Sequence, residues 1–187
     1  PVRASDLPLF LEADMKASPD MRRVRFTLFD RLKIVPVEMV LGTRYLLVIS
    51  AAFFLLSGLS RSGYSFHWEA GLVSVLNLVM AYLAGTLIGP ALLPWLPGRS
   101  FSLKGAAAGL LAFLALFFGK LAGDHFLQIM AWLLMIPALS SFLTMNFTGA
   151  STYTSLSGVK KEMRIAVPIQ VSAAAVGLVL WISGLFF

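Results

Sequence analysis

The sequence predicts an all-α membrane protein, a bundle of five transmembrane helices with its N-terminus in the cytoplasm and its C-terminus outside. Hydrophobic residues make up 58% of the 187 residues and charged residues only 13%, whereas a soluble domain usually has about 25% charged residues. Several uncharged runs approach the roughly 20 residues that an α-helix needs to cross a hydrocarbon core of about 30 Å. The chain has no Cys, which excludes disulfides, zinc-thiolate sites and Cys nucleophiles formed by its own residues.

Residues 1–36 are the one segment with the composition of a soluble protein. Ser5 or Asp6 is suited to cap a short helix, and Pro19 interrupts the chain. The alternation of charged and apolar residues over 22–28 predicts a short half-buried strand or an extended arm. A segment of this size cannot form its own core, so we expect it to pack on an upstream domain or to lie along the membrane surface.

Five apolar runs follow, separated by short turns, and they are the predicted membrane spans. Pro36 is tolerated in a first helical turn and opens the first span, whereas Pro90 is expected to kink the second. Asp124 is the predicted cap of the fourth span. Gly105 and Gly109 lie one turn apart, a spacing that favours close helix packing. The predicted spans cover residues 37–59, 68–93, 103–121, 125–145 and 165–187.

Lys and Arg are distributed unevenly between the two ends of the predicted bundle. With the N-terminus inside, thirteen of the 15 cationic residues lie on the inner side, and only Arg61 and Lys120 lie on the outer side. Cytoplasmic loops are the ones enriched in Lys and Arg, so this count predicts the orientation. The net charge of +6 comes from these inner-side residues, which suit contact with the anionic inner leaflet. It gives no reason to expect nucleic-acid binding.

A stretch rich in Ser and Thr, residues 146–164, joins the last two predicted spans on the inner side. No His or Asp lies nearby in the sequence to activate these hydroxyls, and the two Gly residues do not form a phosphate loop, so no catalytic residue is predicted. Two interpretations stay open: a connector whose hydroxyls cap helix ends, or a cytosolic docking surface for a soluble domain or an acidic protein. The candidate docking residues are Asn146, Thr148, Gly149, Ser151, Thr152, Thr154, Ser155, Lys160 and Lys161.

Few polar residues lie inside the predicted spans, and each is a candidate for a path through the membrane or for a helix contact. Asn77 lies in the middle of the second span and Gln170 near the start of the fifth. For Asn77 the simpler interpretation is a hydrogen bond to a neighbouring helix. His67 and His125 are both expected at the outer surface, where two His without a carboxylate framework are a weak signal for a metal site. No metal ligand is predicted.

Three sequences near the N-terminus carry a family resemblance: Pro1-Val2-Arg3-Ala4-Ser5-Asp6-Leu7-Pro8, Met21-Arg22-Arg23-Val24-Arg25-Phe26 and Asp30-Arg31-Leu32-Lys33-Ile34-Val35-Pro36-Val37-Glu38. They resemble the C-terminal edge of the corrinoid-binding domain in the large subunit of the corrinoid iron–sulfur protein. Five predicted membrane helices and the 146–164 stretch follow them, and the chain as a whole is similar to the HgcA family, the membrane corrinoid proteins of anaerobic mercury methylation. The Cys that coordinates cobalt in that family has no counterpart here.

The resemblance implies that the whole protein transfers a methyl group from a cobalamin-type methylcorrinoid to Hg(II), with a small ferredoxin carrying two 4Fe-4S clusters as its reducing partner. This chain is then the membrane domain, in the inner (cytoplasmic) membrane of a bacterium or archaeon, that holds the corrinoid domain at the cytoplasmic face. Because the chain begins at Pro1 without a signal peptide, we expect that domain upstream, and we expect the chain alone to bind no corrinoid.

The alternative is a carrier or channel element with five spans that moves a small ion or a mercury species. The lack of Cys argues against a thiolate relay for Hg(II), and the scarcity of intramembrane charge argues against proton coupling. We therefore favour the membrane anchor.

Overall fold

The computed structural model describes residues 4–22, 27–147 and 156–187, and this part of the chain is helical almost throughout. Five helical segments are long and apolar enough to cross a membrane, which confirms an all-α, multi-pass membrane bundle. We call the end that carries the N-terminal segment the inner end, following the charge count. The five segments are Leu28–Leu56, Trp68–Ala91, Phe101–Phe118, Phe126–Asn146 and Ser157–Gly184.

The described part of the N-terminal segment contains short helices. A 3-10 turn, Ala4–Asp6, leads into α1, Leu7–Glu12, and the side chain of Asp6 makes no capping hydrogen bond there. Helix α2, Leu28–Leu32, begins at a capping box, in which the amide of Asp30 donates to Thr27 Oγ1 and the amide of Thr27 donates to Asp30 Oδ2. The strand or arm predicted over 22–28 lies partly outside the described residues, at 23–26, and its last residue begins α2.

The first two spans are joined by a tight hairpin at the outer end. Within the first segment, α2 precedes the long helix α3, Val35–Leu56, which we call the first span. It is followed by the two-residue strands β1, Leu59–Ser60, and β2, Gly63–Tyr64, which pair antiparallel. The first span therefore ends three residues before the predicted boundary at 59.

The second span changes helical form before its inner end. Helix α4, Trp68–Leu83, passes into a wider π-helical turn, Ala84–Ile88, and then into the short helix α5, Gly89–Ala91. Proline lacks an N–H and its ring clashes with the carbonyl group four residues earlier. The wider turn directly before Pro90 relieves this clash, so the predicted distortion occurs one turn earlier than Pro90 itself.

The third and fourth spans pack closely against each other. Helix α6 is Phe101–Phe118 and helix α7 is Phe126–Asn146. A Cβ added to Gly109 would lie 2.7 Å from the Cα of Pro137, so only glycine permits this approach of the two backbones, as the small-residue spacing predicts. The residue at the N-cap of α7 is His125 and not Asp124, and its side chain makes no capping hydrogen bond.

The fifth span belongs to a longer helix than the sequence predicts. Helix α8 is Leu156–Gly184, whereas the predicted span begins at residue 165. Residues 159–164 contain Lys, Glu, Met and Arg, which favour helix, so the helix continues beyond the apolar run. Lys160 and Lys161 therefore lie on a helix and not in a loop.

The main core lies in the centre and outer half of the bundle. Its largest members are Phe53, Trp132 and Trp181, from α3, α7 and α8, and the ring centroid of Phe53 lies 5.8 Å from that of Trp132 and 4.4 Å from that of Trp181. A second, smaller cluster at the inner end contains Val35 and Phe147. This second cluster connects the N-terminal segment to the bundle.

Candidate functional site

Arg31 attaches the N-terminal segment to the inner end of the second span. The side chain is 4% exposed, and its Nη1 donates to the carbonyl oxygens of Ala91, at 2.7 Å, and Pro90, at 3.3 Å. Its guanidinium carbon lies 5.9 Å from the ring centroid of Trp95. Carbonyl groups at the end of a helix have no partner within it and attract cations. Arg31 thus places a positive charge and hydrogen-bond donors at the C-terminal carbonyl groups of α5.

Apolar contacts reinforce this attachment. Val35, at the start of α3, belongs to one buried cluster with Leu93, Phe101 and Phe147, and Phe147 is fully buried. The cluster joins the beginning of α3, the turns over 92–100, the first residue of α6 and the residue after α7. We call α2, the turns over 92–100 and these four apolar residues the inner platform.

Helix α8 reaches the inner platform through Glu162. The Oε1 of Glu162 accepts a hydrogen bond of 2.6 Å from the amide of Ser102, in the first turn of α6. The amide of Leu103 donates to Ser100 Oγ at 3.4 Å. An anion near a helix N-terminus is stabilising, so Glu162 contributes both a bond and a favourable charge. This role of Glu162 is not predictable from the sequence, because nothing in the sequence places α8 beside the start of α6.

A groove of about 550 Å³ lies between α6 and α8 at the inner half of the bundle. Two of the sequence-predicted residues, Lys161 and Gln170, both line this groove. The Nε2 of Gln170 donates to Ser141 Oγ at 2.7 Å, and that hydroxyl donates to the carbonyl oxygen of Ser102 at 2.8 Å. The Oε1 of Gln170 is buried and has no hydrogen-bond partner in the described part of the chain. The groove is therefore apolar with a polar inner mouth and a polar floor.

Asn77 lies apart from this groove and serves a helix contact. Its side chain is fully buried, and its Nδ2 donates to the carbonyl oxygens of Val73, at 2.8 Å, and Leu121, at 2.7 Å. Leu121 follows the end of α6, so the amide joins the second span to the end of the third. The simpler interpretation of Asn77 expected an acceptor in a neighbouring helix, and the acceptor found here lies just after one.

Of the remaining candidate docking residues, two are among the described residues and six are not. Asn146 is the last residue of α7 and lines a second groove, of about 420 Å³, together with Tyr45 and Tyr82. Lys160 is exposed on α8, one residue before Lys161. The others lie outside the described residues: Thr148, Gly149, Ser151, Thr152, Thr154 and Ser155.

The two His residues share a polar cavity of about 490 Å³ at the outer end. His67 and His125 line it together with Glu69, Asp124 and Lys120, so tertiary packing brings the residues that precede the second and fourth spans to one cavity. Within residues 4–22, 27–147 and 156–187, no group of three or more His, Cys, Asp or Glu side chains is arranged to hold a metal ion.

Comparison with known proteins adds no relative: no family model, curated protein or solved structure matches the chain. The candidate site therefore rests on the contacts within this chain alone. Its two parts are the inner platform with Arg31 and the groove between α6 and α8.

Proposed function

We propose that this chain is the membrane domain of a corrinoid-dependent methyltransferase that converts Hg(II) to methylmercury, and that it holds a cytosolic corrinoid-binding domain at the inner membrane face. The observation that carries the anchoring role is the pair of hydrogen bonds from Arg31 to Pro90 and Ala91. The mercury chemistry and the ferredoxin partner rest on the sequence resemblance described above.

The contacts of Arg31 favour a fixed attachment over a flexible tether. A hydrogen bond that involves a charged group contributes about 1.5–3 kcal/mol, and Arg31 makes two such bonds to the bundle while Val35 packs beside it in the platform. The last helix before the first span is thereby held in one orientation. This attachment gives a domain that precedes α2 a fixed starting point on the membrane bundle.

The inner platform contains the residue before the stretch 148–155, and the helix after the stretch is bonded next to the platform. Phe147 precedes that stretch and is fully buried in the platform. Glu162 follows it on α8 and bonds to Ser102. The residue before this stretch is thus part of the platform and the helix after it is bonded to the first turn of α6, which supports the assignment of the stretch to the docking surface.

The residues of this chain do not fit the corrinoid itself. The chain has no Cys to serve as a cobalt ligand, and its two His residues line the outer cavity, at the opposite end from the inner platform. The corrinoid supplies the methyl group when the cytosolic domain binds it. This chain contributes by holding the corrinoid domain at the inner membrane face.

The packed interior favours an anchor over a carrier. A permeation path needs polar groups that face a water-filled cavity, but Phe53, Trp132 and Trp181 fill the region next to the outer cavity. Asn77 donates to backbone carbonyls and Gln170 donates to Ser141. These contacts join helices to one another.

The function is tested by methylmercury formation from isotope-labelled Hg(II), using membranes that contain the whole protein with its corrinoid domain and the ferredoxin. We expect the wild type to form methylmercury. Arg31→Met should lower the rate at equal protein level because it frees α2, whereas Lys33→Met, which removes an exposed charge on the same segment, should not. No methylmercury from the wild type would overturn the enzymatic assignment, and equal rates in both variants would overturn the anchoring role.

A further inference from the structure

The groove between α6 and α8 has the size and lining of a ligand site. Its volume of about 550 Å³ falls in the range of about 300–1,000 Å³ that small-molecule sites occupy. Leu103 and Ala106 of α6 form one wall, and Ile165 and Ile169 of α8 form the other. Helices α6 and α8 both pack on α7. The gap between them therefore opens toward the side of the bundle, where lipid lies.

The charges of the groove are gathered at its inner mouth. Arg99 and Lys161 both line the mouth and are exposed. Glu162 is the one carboxylate among the described lining residues, and it accepts from the amide of Ser102 at the N-terminus of α6. The two cations exceed the one carboxylate, so the mouth carries a net positive charge, and the carboxylate is held by the amide of Ser102.

Polarity changes along the groove in the same direction as in a phospholipid. Lys161 and Ile169 are eight residues apart on α8, which at the rise of an α-helix is about 12 Å. The cations thus lie nearest the inner surface, and the apolar walls lie deeper. Gln170 adds a polar floor at the deeper level: it has a second N–H and an Oε1 without a partner in the described part of the chain.

We propose that this groove binds one anionic phospholipid from the inner leaflet, with the phosphate between Arg99 and Lys161 and an acyl chain along Ile165 and Ile169. Basic pockets between transmembrane helices on the cytoplasmic side suit anionic headgroups, and the inner leaflet supplies such lipids. This inference does not depend on the proposed function in mercury methylation.

The experiment is native mass spectrometry of the whole purified chain, titrated in detergent with dioleoyl phosphatidylglycerol or dioleoyl phosphatidylcholine. We expect one phosphatidylglycerol per chain, bound more tightly than phosphatidylcholine. Each cation near an anionic surface contributes about a fivefold gain in affinity, so the double variant R99Q/K161Q should bind phosphatidylglycerol roughly 25-fold more weakly. The control K160Q/R164Q removes the same charge from α8 residues outside the groove lining and should retain the affinity within about twofold.

A second pair of variants separates the groove from general surface charge. Ala166→Phe fills the groove without changing charge and should remove the bound lipid, whereas Val167→Phe, at a neighbouring residue outside the lining, should keep it. Circular dichroism checks that each variant is folded. If R99Q/K161Q is not folded, the comparison of Ala166→Phe with Val167→Phe tests the lipid site. Equal affinity for the two lipids, equal loss in both double variants, full binding by folded Ala166→Phe, or displacement by inorganic phosphate would each overturn the proposal.

Discussion

Nη1 of Arg31 lies 2.7 Å from the carbonyl oxygen of Ala91, so a cation from the segment before the first span is bonded to the last residue of the second. The two residues are 60 positions apart in the chain, and their contact sets the orientation of α2 on the bundle. Arg31 is buried although arginine is almost never fully buried without a partner. The carbonyl groups at the end of α5 are that partner.

Removal of Arg31 should release α2 from the inner platform. Arg31→Met deletes bonds that contribute about 1.5–3 kcal/mol each, so amide hydrogen exchange in residues 28–33 should be at least about tenfold faster. Lys33→Met is the matched control, because Lys33 is exposed and its ammonium lies over the ring of Phe29 on the same segment. Unchanged exchange in Arg31→Met would contradict the role given to this contact.

Loss of the Glu162 carboxylate should destabilise the start of α6. Glu162→Ala removes the acceptor for the amide of Ser102, and loss of a capping group costs about 0.5–2 kcal/mol. For a chain of this size, 1 kcal/mol corresponds to roughly 2–4 °C in Tm, which thermal unfolding in detergent can measure. Glu12→Ala, at an exposed Glu of α1, serves as the control, and an equal Tm for the two variants would disprove the capping role.

A methyl group at Gly109 should separate α6 from α7. The added Cβ would meet the Cα of Pro137 at 2.7 Å and the carbonyl oxygen of Ile136 at 2.9 Å, and backbone atoms cannot rotate away. Overpacking of this kind costs about 1–3 kcal/mol, so Gly109→Ala should lower Tm. Gly119→Ala, whose Cβ would have its nearest contact at 3.2 Å, should have a smaller effect. The reverse order would show that α6 and α7 do not approach at Gly109.

Labelling of single Cys residues tests the orientation of the bundle. The chain has no Cys of its own, so Ser157→Cys and Ser62→Cys each introduce one thiol at an exposed position. The charge count predicts that an impermeant thiol reagent reaches Cys at 157 only from the cytosolic side and Cys at 62 only from outside. The opposite pattern would reverse every assignment of inner and outer face.

The hydroxyl-rich stretch can be tested as a docking surface without altering charge. If Thr152, Thr154 and Ser155 contact the corrinoid domain or the ferredoxin, their joint replacement by Ala should lower methylmercury formation while insertion into the membrane stays normal. If the stretch is a connector only, the rate should be unchanged, since exposed hydroxyls contribute little net free energy. Replacement of the outer-end Ser60 and Ser62 by Ala is the control.

The extent of agreement between sequence and structure differs from one element to the next. The start of the first span was predictable from Pro36, which lies in the first turn of α3. The start of α8 was not, because the change from apolar to charged residues at Arg164 marks where the membrane should end and does not mark where the helix ends. Likewise, the close approach of α6 and α7 was predictable from the spacing of Gly105 and Gly109, but the atoms they meet were not.

The sequence by itself determined the class of this protein and the number of its spans, because a bilayer demands long apolar helices whatever their partners. Only the tertiary structure decided which polar groups act together. Arg31 meets Ala91, Glu162 meets Ser102, and Lys161 shares a groove with Gln170. Most of these contacts join residues far apart in the chain, and they depend on how the helices pack around α7. Hydrophobic periodicity and run length do not specify that packing, because the lipid-facing and buried surfaces of a membrane helix are both apolar.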